Sequence, residues 1–281
     1  MTTSALLINW NRAMALFHGL FVLTTIATAD FGLRLATYRP VYANNTDGAD
    51  GDAWVTPSGA EENGRLPIAW IALGFSALSM TFHLLAAAVP AWREWYLRGV
   101  LGDARCPPRW LEYALSAPLQ GLAIGWFTGN RFTHELVAIF ALTMTTMFFG
   151  HLHESLARPK SDTEWAEPNA ALRLQAHFLG WVPFLFAVGM IWDTFSTLER
   201  DFPNMPDFVR YIVITQLATF TSFGFVQIVV TLRQPRFYYQ GEITYMVLSL
   251  LAKGALSMLL LANVIAVSTF GNDDESGNGA N

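Results

Sequence analysis

The chain has 281 residues, of which 53% are hydrophobic, 14% aromatic and only 14% charged, with a formal net charge of -5. A soluble domain carries about 25% charged residues, so this balance excludes an ordinary soluble fold and points to a polytopic membrane protein. A single cysteine, Cys106, excludes an intrachain disulfide. No phosphate-binding Gly loop, HExxH, CxxC or fixed-period repeat occurs, and no basic tail is offered to nucleic acid.

Seven apolar spans follow one another at about residues 9–33, 67–90, 108–128, 133–153, 172–195, 208–231 and 243–269. Each is near the length that crosses ~30 Å of hydrocarbon as a helix. The expected fold is an all-α membrane protein, one seven-helix transmembrane domain over residues 1–281, with a disordered acidic tail at 271–281. The opening MTTSALLINWNR has neither a basic run nor a small-residue cleavage site, so the first span is expected to stay in the mature chain. With the amino terminus inside, one side holds ten cations: Arg12, Arg93, Arg98, Arg105, Arg109, Arg158, Lys160, Arg173, Arg233 and Arg236. The other holds six: Arg34, Arg39, Arg65, Arg131, Arg200 and Arg210. The positive-inside rule therefore predicts a cytoplasmic amino terminus and an extracellular carboxyl terminus.

Span one carries His18 about two turns from its inner end, and span two carries His83 at a matching depth. A lone histidine on an apolar face is more often a satisfied core residue, so their weight rests on what shares their level. Between these spans, residues 37–66 flank a cluster of turn residues (Asn44, Asn45, Asp47, Gly48, Asp50, Gly51, Asp52) with TYRPVY and AWVT. That pattern predicts a β-hairpin over the outer face, with a solvated loop as the alternative. The segment 91–109 alternates Arg with aromatic residues, the signature of an interfacial segment at headgroup level. Span three places Arg109 and Glu112 on one face at i,i+3, and Ser116 and Gln120 continue the Glu112 stripe. Span four ends in His151 and His153, which read as solvated interface and lack a third ligand at metal spacing. Trp181 and Phe184 in span five, and Phe220, Phe223 and Gln227 in span six, recur at helical spacing; helix packing accounts for such stripes, and so does a large flat ligand.

The last span holds one cation, Lys253, in an otherwise apolar run. At the bilayer centre a lysine costs roughly 2.5–3.5 kcal/mol, so it needs a partner, a water cavity or a chemical task. It reads either as a paired or proton-relay lysine or as a desolvated amine able to form a Schiff base. A helical side chain leans toward its own N-terminus, which brings the Lys253 nitrogen back toward Glu112, with Ser249 one turn earlier on the same face. Lys253, Glu112, Ser249, His18 and His83 thus converge on one cavity in the cytoplasmic half.

Those residues resemble a known family. Seven spans, the lysine in the seventh, the run Arg109, Trp110, Leu111, Glu112, Tyr113 in the third, the inward amino terminus and the two histidines together resemble the heliorhodopsins, over essentially the whole chain. The resemblance implies a rhodopsin-like photoreceptor with all-trans retinal on Lys253 as a protonated Schiff base and Glu112 as sole counterion. It further implies a pocket including Ser249, Tyr113, Ser116, Gln120, Trp181, Phe184, Phe220, Phe223 and Gln227, and a polar cavity with His18, His83 and Arg109. A homodimer in the bilayer, a slow photocycle and signalling to a cytoplasmic partner rather than ion pumping or enzyme catalysis are the corresponding expectations. Glu112 is the one acid expected at the membrane centre, whereas a pump needs acids reaching both faces. The alternatives are a light-gated proton channel using His18 and His83, or a transporter or enzyme that uses the Lys253 and Glu112 pair without retinal.

Overall fold

A computed structural model describes residues 2–45, 54–157, 169–235 and 237–273. The helices are α1 (Thr3–Thr28), α2 (Ile68–Ala88), α3 (Pro90–Arg98), α4 (Pro107–Phe127), α5 (Thr133–Ala157), α6 (Ala170–Asp201), α7 (Asp207–Leu232) and α8 (Tyr238–Asp273), with strands β1 (Leu35–Asn45) and β2 (Trp54–Leu66) between α1 and α2. Six of them are long and apolar enough to cross a membrane. The seventh spanning helix, α4, has 21 residues and buries its polar groups Arg109, Glu112, Ser116 and Gln120 within the bundle. The helix starts carry their own punctuation. Thr2 caps α1 by accepting from Ala5 N, Asn169 caps α6 by accepting from Leu172 N, and prolines open α3 and α4 where no N–H is needed.

The spanning helices close a ring in which α1 packs on α2 and α8, α2 on α4, α4 on α5, α5 on α6, α6 on α7 and α7 on α8. Outward positions such as Leu16, Leu23, Phe186, Leu172 and Met258 stay exposed, as a lipid-facing surface requires. The expected hairpin is present: β1 and β2 pair antiparallel from Leu35 opposite Leu66 to Asn45 opposite Trp54, with irregularities after Thr37 and Val41. It is tied to the α4–α5 turn by Trp126 Nε1 donating to the Ala36 carbonyl at 2.9 Å and Tyr38 N to the Arg131 carbonyl at 3.0 Å. The turn residues Asp47, Gly48, Asp50, Gly51 and Asp52, and residues 274–281 of the expected tail, lie outside the described residues.

Two apolar cores bracket the site. Toward the hairpin, Ile68, Ile71, Phe75, Ile124, Ile212, Leu256 and Leu260 form one. Toward the amino-terminal face, Leu7, Met14, Tyr96, Val100, Tyr238 and Met246 form the other. The second exists because α3 and the wide turn Gly99–Asp103 fold back over that face. Ala104, in the left-handed region at φ 48, closes this return, with Arg105 N donating to the Gly99 carbonyl at 3.1 Å. The expected interfacial segment is thus a short helix that packs over the bundle end.

Candidate functional site

Buried positions on α8 recur every three or four residues, through Glu242, Tyr245, Met246, Ser249, Lys253, Leu256 and Leu260. Lys253 therefore points inward, and at 2% exposure its amine is removed from solvent. Its Nζ lies 2.6 Å from Glu112 Oε1 on α4 and 2.9 Å from Ser249 Oγ, one turn back on its own helix. Ser79 of α2 donates to the same Glu112 oxygen at 2.6 Å. One carboxylate oxygen is thus held by an ammonium and a hydroxyl from different helices, which fixes its orientation. The Tyr113 ring packs beneath, 5.0 Å from Nζ, and its hydroxyl donates to the Tyr245 carbonyl at 3.2 Å.

His18 and His83 stack beside this pair, with ring centroids 5.8 Å apart. Asn11 Nδ2 donates to the Leu7 carbonyl, which turns its Oδ1 toward His83 Nδ1 at 2.8 Å and makes that nitrogen the donor. His18 is fully buried, and among the described residues neither of its ring nitrogens has a hydrogen-bond partner. A small cavity bounded by Asn11, His83, Glu112, Arg109 and Glu242 lies between this level and the Arg109 cluster. The structure brings Arg109 to that cavity, yet its ion pairs run elsewhere. Sharing a face with Glu112 did not make them partners: Arg109 is held by Glu154 at the end of α5 and Glu242 at the start of α8. Tyr238 Oη donates to Glu154 at 2.7 Å and Cys106 N to the other Glu154 oxygen at 2.9 Å. Burial and the adjacent Glu242 push the Cys106 thiol well above its ordinary range, so it stays a neutral donor. Glu112 is consequently not the only buried acid, since Glu154 and Glu242 are 3% exposed.

From Lys253 an elongated apolar cavity extends between α4, α5, α6 and α7. Tyr113, Ser116, Gln120, Trp181, Phe184, Phe220, Phe223, Gln227 and Ser249 all line it, so the structure brings together every residue expected around a flat ligand. On α4 the lining runs from Trp110 to Ile124, about 20 Å at a rise of 1.5 Å per residue. Gly150 and Gly224 allow this lining: a Cβ at either would run into the Trp110 or Trp181 ring. Trp110 stands in the third-span run but was not expected in the lining, and Gly150 and Gly224 were not expected at all, since a glycine opposite a tryptophan leaves no trace in a single sequence.

His153 corrects an expectation. It is fully buried, with Nε2 2.8 Å from Thr231 Oγ1 and its ring 5.4 Å from that of His177, whereas its neighbour His151 is exposed. The α5 helix continues to Ala157, so a position at the end of the apolar run is not at the end of the buried helix. Ser79 and Asn11 were also missed. The signal was there, because Asn11, His18 and Thr25 repeat every seven residues on α1 and Ser76, Ser79 and His83 form one stripe on α2.

The heliorhodopsin family model matches residues 7–265. The chain belongs to the heliorhodopsin family. No curated protein sequence matches it. Among solved structures, this heliorhodopsin is similar in fold to the thermophilic rhodopsin of Rubrobacter xylanophilus (TM-score 0.59, 14% identity, 94% of this chain and 97% of that one). It is similarly related to a light-driven proton pump of Leptosphaeria maculans (TM-score 0.63, 11% identity, 94% of each chain). The transmembrane and linker region of a Salpingoeca rosetta rhodopsin phosphodiesterase is a third (TM-score 0.60, 11% identity, 96% and 83%). Family and fold together make it a multi-pass membrane retinal photoreceptor. The residues fit retinal: a long apolar aromatic cavity ends on a buried primary amine backed by one carboxylate.

Proposed function

We propose that this protein is a light sensor that holds all-trans retinal on Lys253, with Glu112 as sole counterion, and signals rather than pumps. The observation that carries this reading is the Lys253–Glu112 pair at 2.6 Å, set at the wall of the aromatic cavity. Retinal bound to Lys253 as a protonated imine supplies visible-light absorption and a bond that isomerises. The chain's own residues then govern one proton at Nζ. Whereas the free ammonium carries three N–H groups, a protonated imine at Nζ would carry a single one. Glu112, charged and aligned by Ser79, holds it first, and Ser249 Oγ at 2.9 Å is the second station within reach.

Transport is disfavoured by what flanks the pair. Toward the hairpin, Ser76 and Ser257, 3.2 Å apart, are followed by the Ile68, Phe75 and Leu260 core, and among the described residues no buried acid lies there. Toward the other face, Arg109 is buried between Glu154 and Glu242, a fully paired cluster rather than a free relay acid. By the charge asymmetry of its loops the amino terminus is cytoplasmic, so the polar side of the site faces the cell interior. The exposed hairpin edge suits pairing with a second copy, and the output passes to a cytoplasmic partner through the loops on the Arg-rich face, over a slow photocycle.

Purified protein mixed with all-trans retinal is expected to gain a visible absorption band, and Lys253→Ala to stay colourless while folding normally. A Lys253→Ala protein that still colours, or a wild type that never does, would sink the retinal assignment. Light-driven acidification or alkalinisation of cell suspensions, abolished by a protonophore, would replace sensing by pumping. A proton channel is the second reading, favoured by the His18 nitrogens, which have no partner among the described residues and lie beside His83; photocurrents under voltage clamp that vanish in His18→Phe would establish it.

A further inference from the structure

On the α5, α6 and α7 side of the cavity lies a second histidine pair with no part in the retinal chemistry above. Trp181 lines the cavity, and its indole N–H donates to His177 Nε2 at 2.9 Å. The other ring nitrogen, Nδ1, lies 3.1 Å from Gln227 Oε1, while Gln227 Nε2 donates to the Gly150 carbonyl at 3.3 Å. These contacts determine the ring's state. Gln227 presents its oxygen, so Nδ1 carries the hydrogen and Nε2 offers a lone pair to the indole. His177 is thereby an acceptor for Trp181 in its neutral form, with both nitrogens used and 5% of its surface exposed.

Behind it the contacts lead out of the cavity. The His153 ring packs 5.4 Å from His177 and meets Thr231 at 2.8 Å. Thr231 and Ala157, close to the C-terminal ends of α7 and α5, give their carbonyls to the Arg173 guanidinium, which also reaches Gln234 Oε1 at 3.2 Å. A cation at two converging helix C-termini is stabilised by both helix dipoles, so it clamps the ends of α5 and α7 to the start of α6.

We propose that His177 is a positioning residue for the chromophore: it holds the Trp181 indole in the cavity wall and, through His153 and the Arg173 clamp, couples that ring to the C-terminal ends of α5 and α7 and the start of α6. This rests on the retinal assignment. A wall that must yield when the ligand changes shape would then pass its displacement to the face where an output is delivered, and the histidine pair is the side-chain route between them. His177 lines the cavity beside Trp181, and neither histidine is a hydrogen-bond partner of Lys253 or Glu112, so the effect is on geometry and recovery rather than on pigment formation.

The test uses the full-length protein reconstituted with all-trans retinal. Light-minus-dark infrared spectra of wild type are expected to show a perturbed, hydrogen-bonded indole N–H band that is absent in Trp181→Phe. His177→Phe should move that band to the free-indole position, shift the visible maximum and change thermal recovery about three- to tenfold, as the loss of one buried hydrogen bond implies. His177→Gln, whose side-chain carbonyl reaches the position of Nε2, should restore the band and the recovery. Combining His177→Phe with Trp181→Phe should add nothing to either alone. Unchanged band, maximum and recovery in His177→Phe, or full additivity with Trp181→Phe, would overturn the proposal while leaving the retinal assignment intact. If His177→Phe does not fold, Trp181→Phe with wild-type recovery, or His177→Gln with a free-indole band, overturns it equally. A colourless wild type overturns both.

Discussion

Two buried ionic centres sit near one another in this bundle, and they handle the same difficulty in opposite ways. Lys253 and Glu112 form a one-to-one pair whose cation borders an open apolar cavity. Arg109 faces two carboxylates, Glu154 and Glu242, and is further enclosed by Tyr238 and the Tyr245 ring at 4.1 Å. Both keep charge out of water only because partners compensate it. The difference lies in what surrounds the cation. A compact amine beside a cavity can be modified and its hydrogen redirected, whereas a planar guanidinium that ties its own helix to two others is a fixed closure. The first centre can react, and the second confines where the consequences go.

That contrast is tested most severely at Arg109. Arg109→Ala leaves two carboxylates buried without a cation and is expected to destabilise the protein by about 3–5 kcal/mol. Replacing Arg109, Glu154 and Glu242 together with apolar residues of similar volume should recover most of that loss, because no charge is then stranded. Thermal unfolding in detergent measures both. If the single variant is as stable as wild type, the Arg109 cluster is not the closure described.

The next effect separates the centres by colour. Glu112→Gln removes the anion that favours a protonated imine, so the proton should leave at lower pH and the alkaline midpoint of visible bleaching should fall by about one to three pH units. Glu242→Gln, an acid buried as deeply but paired with Arg109, should move that midpoint far less. Equal shifts in the two variants would mean that the centres act as a single counterion complex.

Much of the first centre was legible in the sequence, and little of the second. Lys253, Glu112, Ser249, His18 and His83 interrupt apolar runs, and helical phase alone places them at one level. Glu154, Glu242 and His153 lie at or past the edges of those runs, where a hydropathy reading puts solvent. The helices extend beyond the runs, α5 to Ala157 and α8 back to Tyr238. The segment containing Tyr96, Val100 and Cys106 then folds over the bundle end and buries what would have been interface. That return depends on contacts between residues far apart in the chain. The same limit applies to Arg109, whose i,i+3 neighbour Glu112 was in reach but was already committed to Lys253 and Ser79.

The apolar cavity that borders Lys253 offers a smaller perturbation. Gly150 lets the Trp110 ring lie against α5, and a Cβ there would overlap it. Gly150→Ala should therefore cost about 1–3 kcal/mol as an overpacked site and displace Trp110 into the cavity, shifting the visible band. At Gly189 an added Cβ meets nothing within 4 Å, so Gly189→Ala should be neutral or raise helix stability by up to about 1 kcal/mol. Similar melting changes in both variants would show that helix propensity, rather than the Trp110 contact, is being measured.

The weakest effect belongs to the same Arg–Glu chemistry placed in water. Arg39 of β1 pairs with Glu61 of β2 across the hairpin, but their side chains are 65% and 49% exposed. The strands are already joined by an eleven-pair register and anchored through Ala36 and Tyr38, so this contact adds little that the backbone does not supply. Arg39→Ala is expected to change stability by about 0.2–1 kcal/mol, with a benefit that fades in high salt. Measured beside Arg109→Ala in the same detergent and salt series, it isolates burial as the variable. A salt-insensitive loss at Arg39 comparable to that at Arg109 would show that partner number and enclosure do not set the worth of an ion pair here, and that the hairpin is packed against something that keeps water away from it.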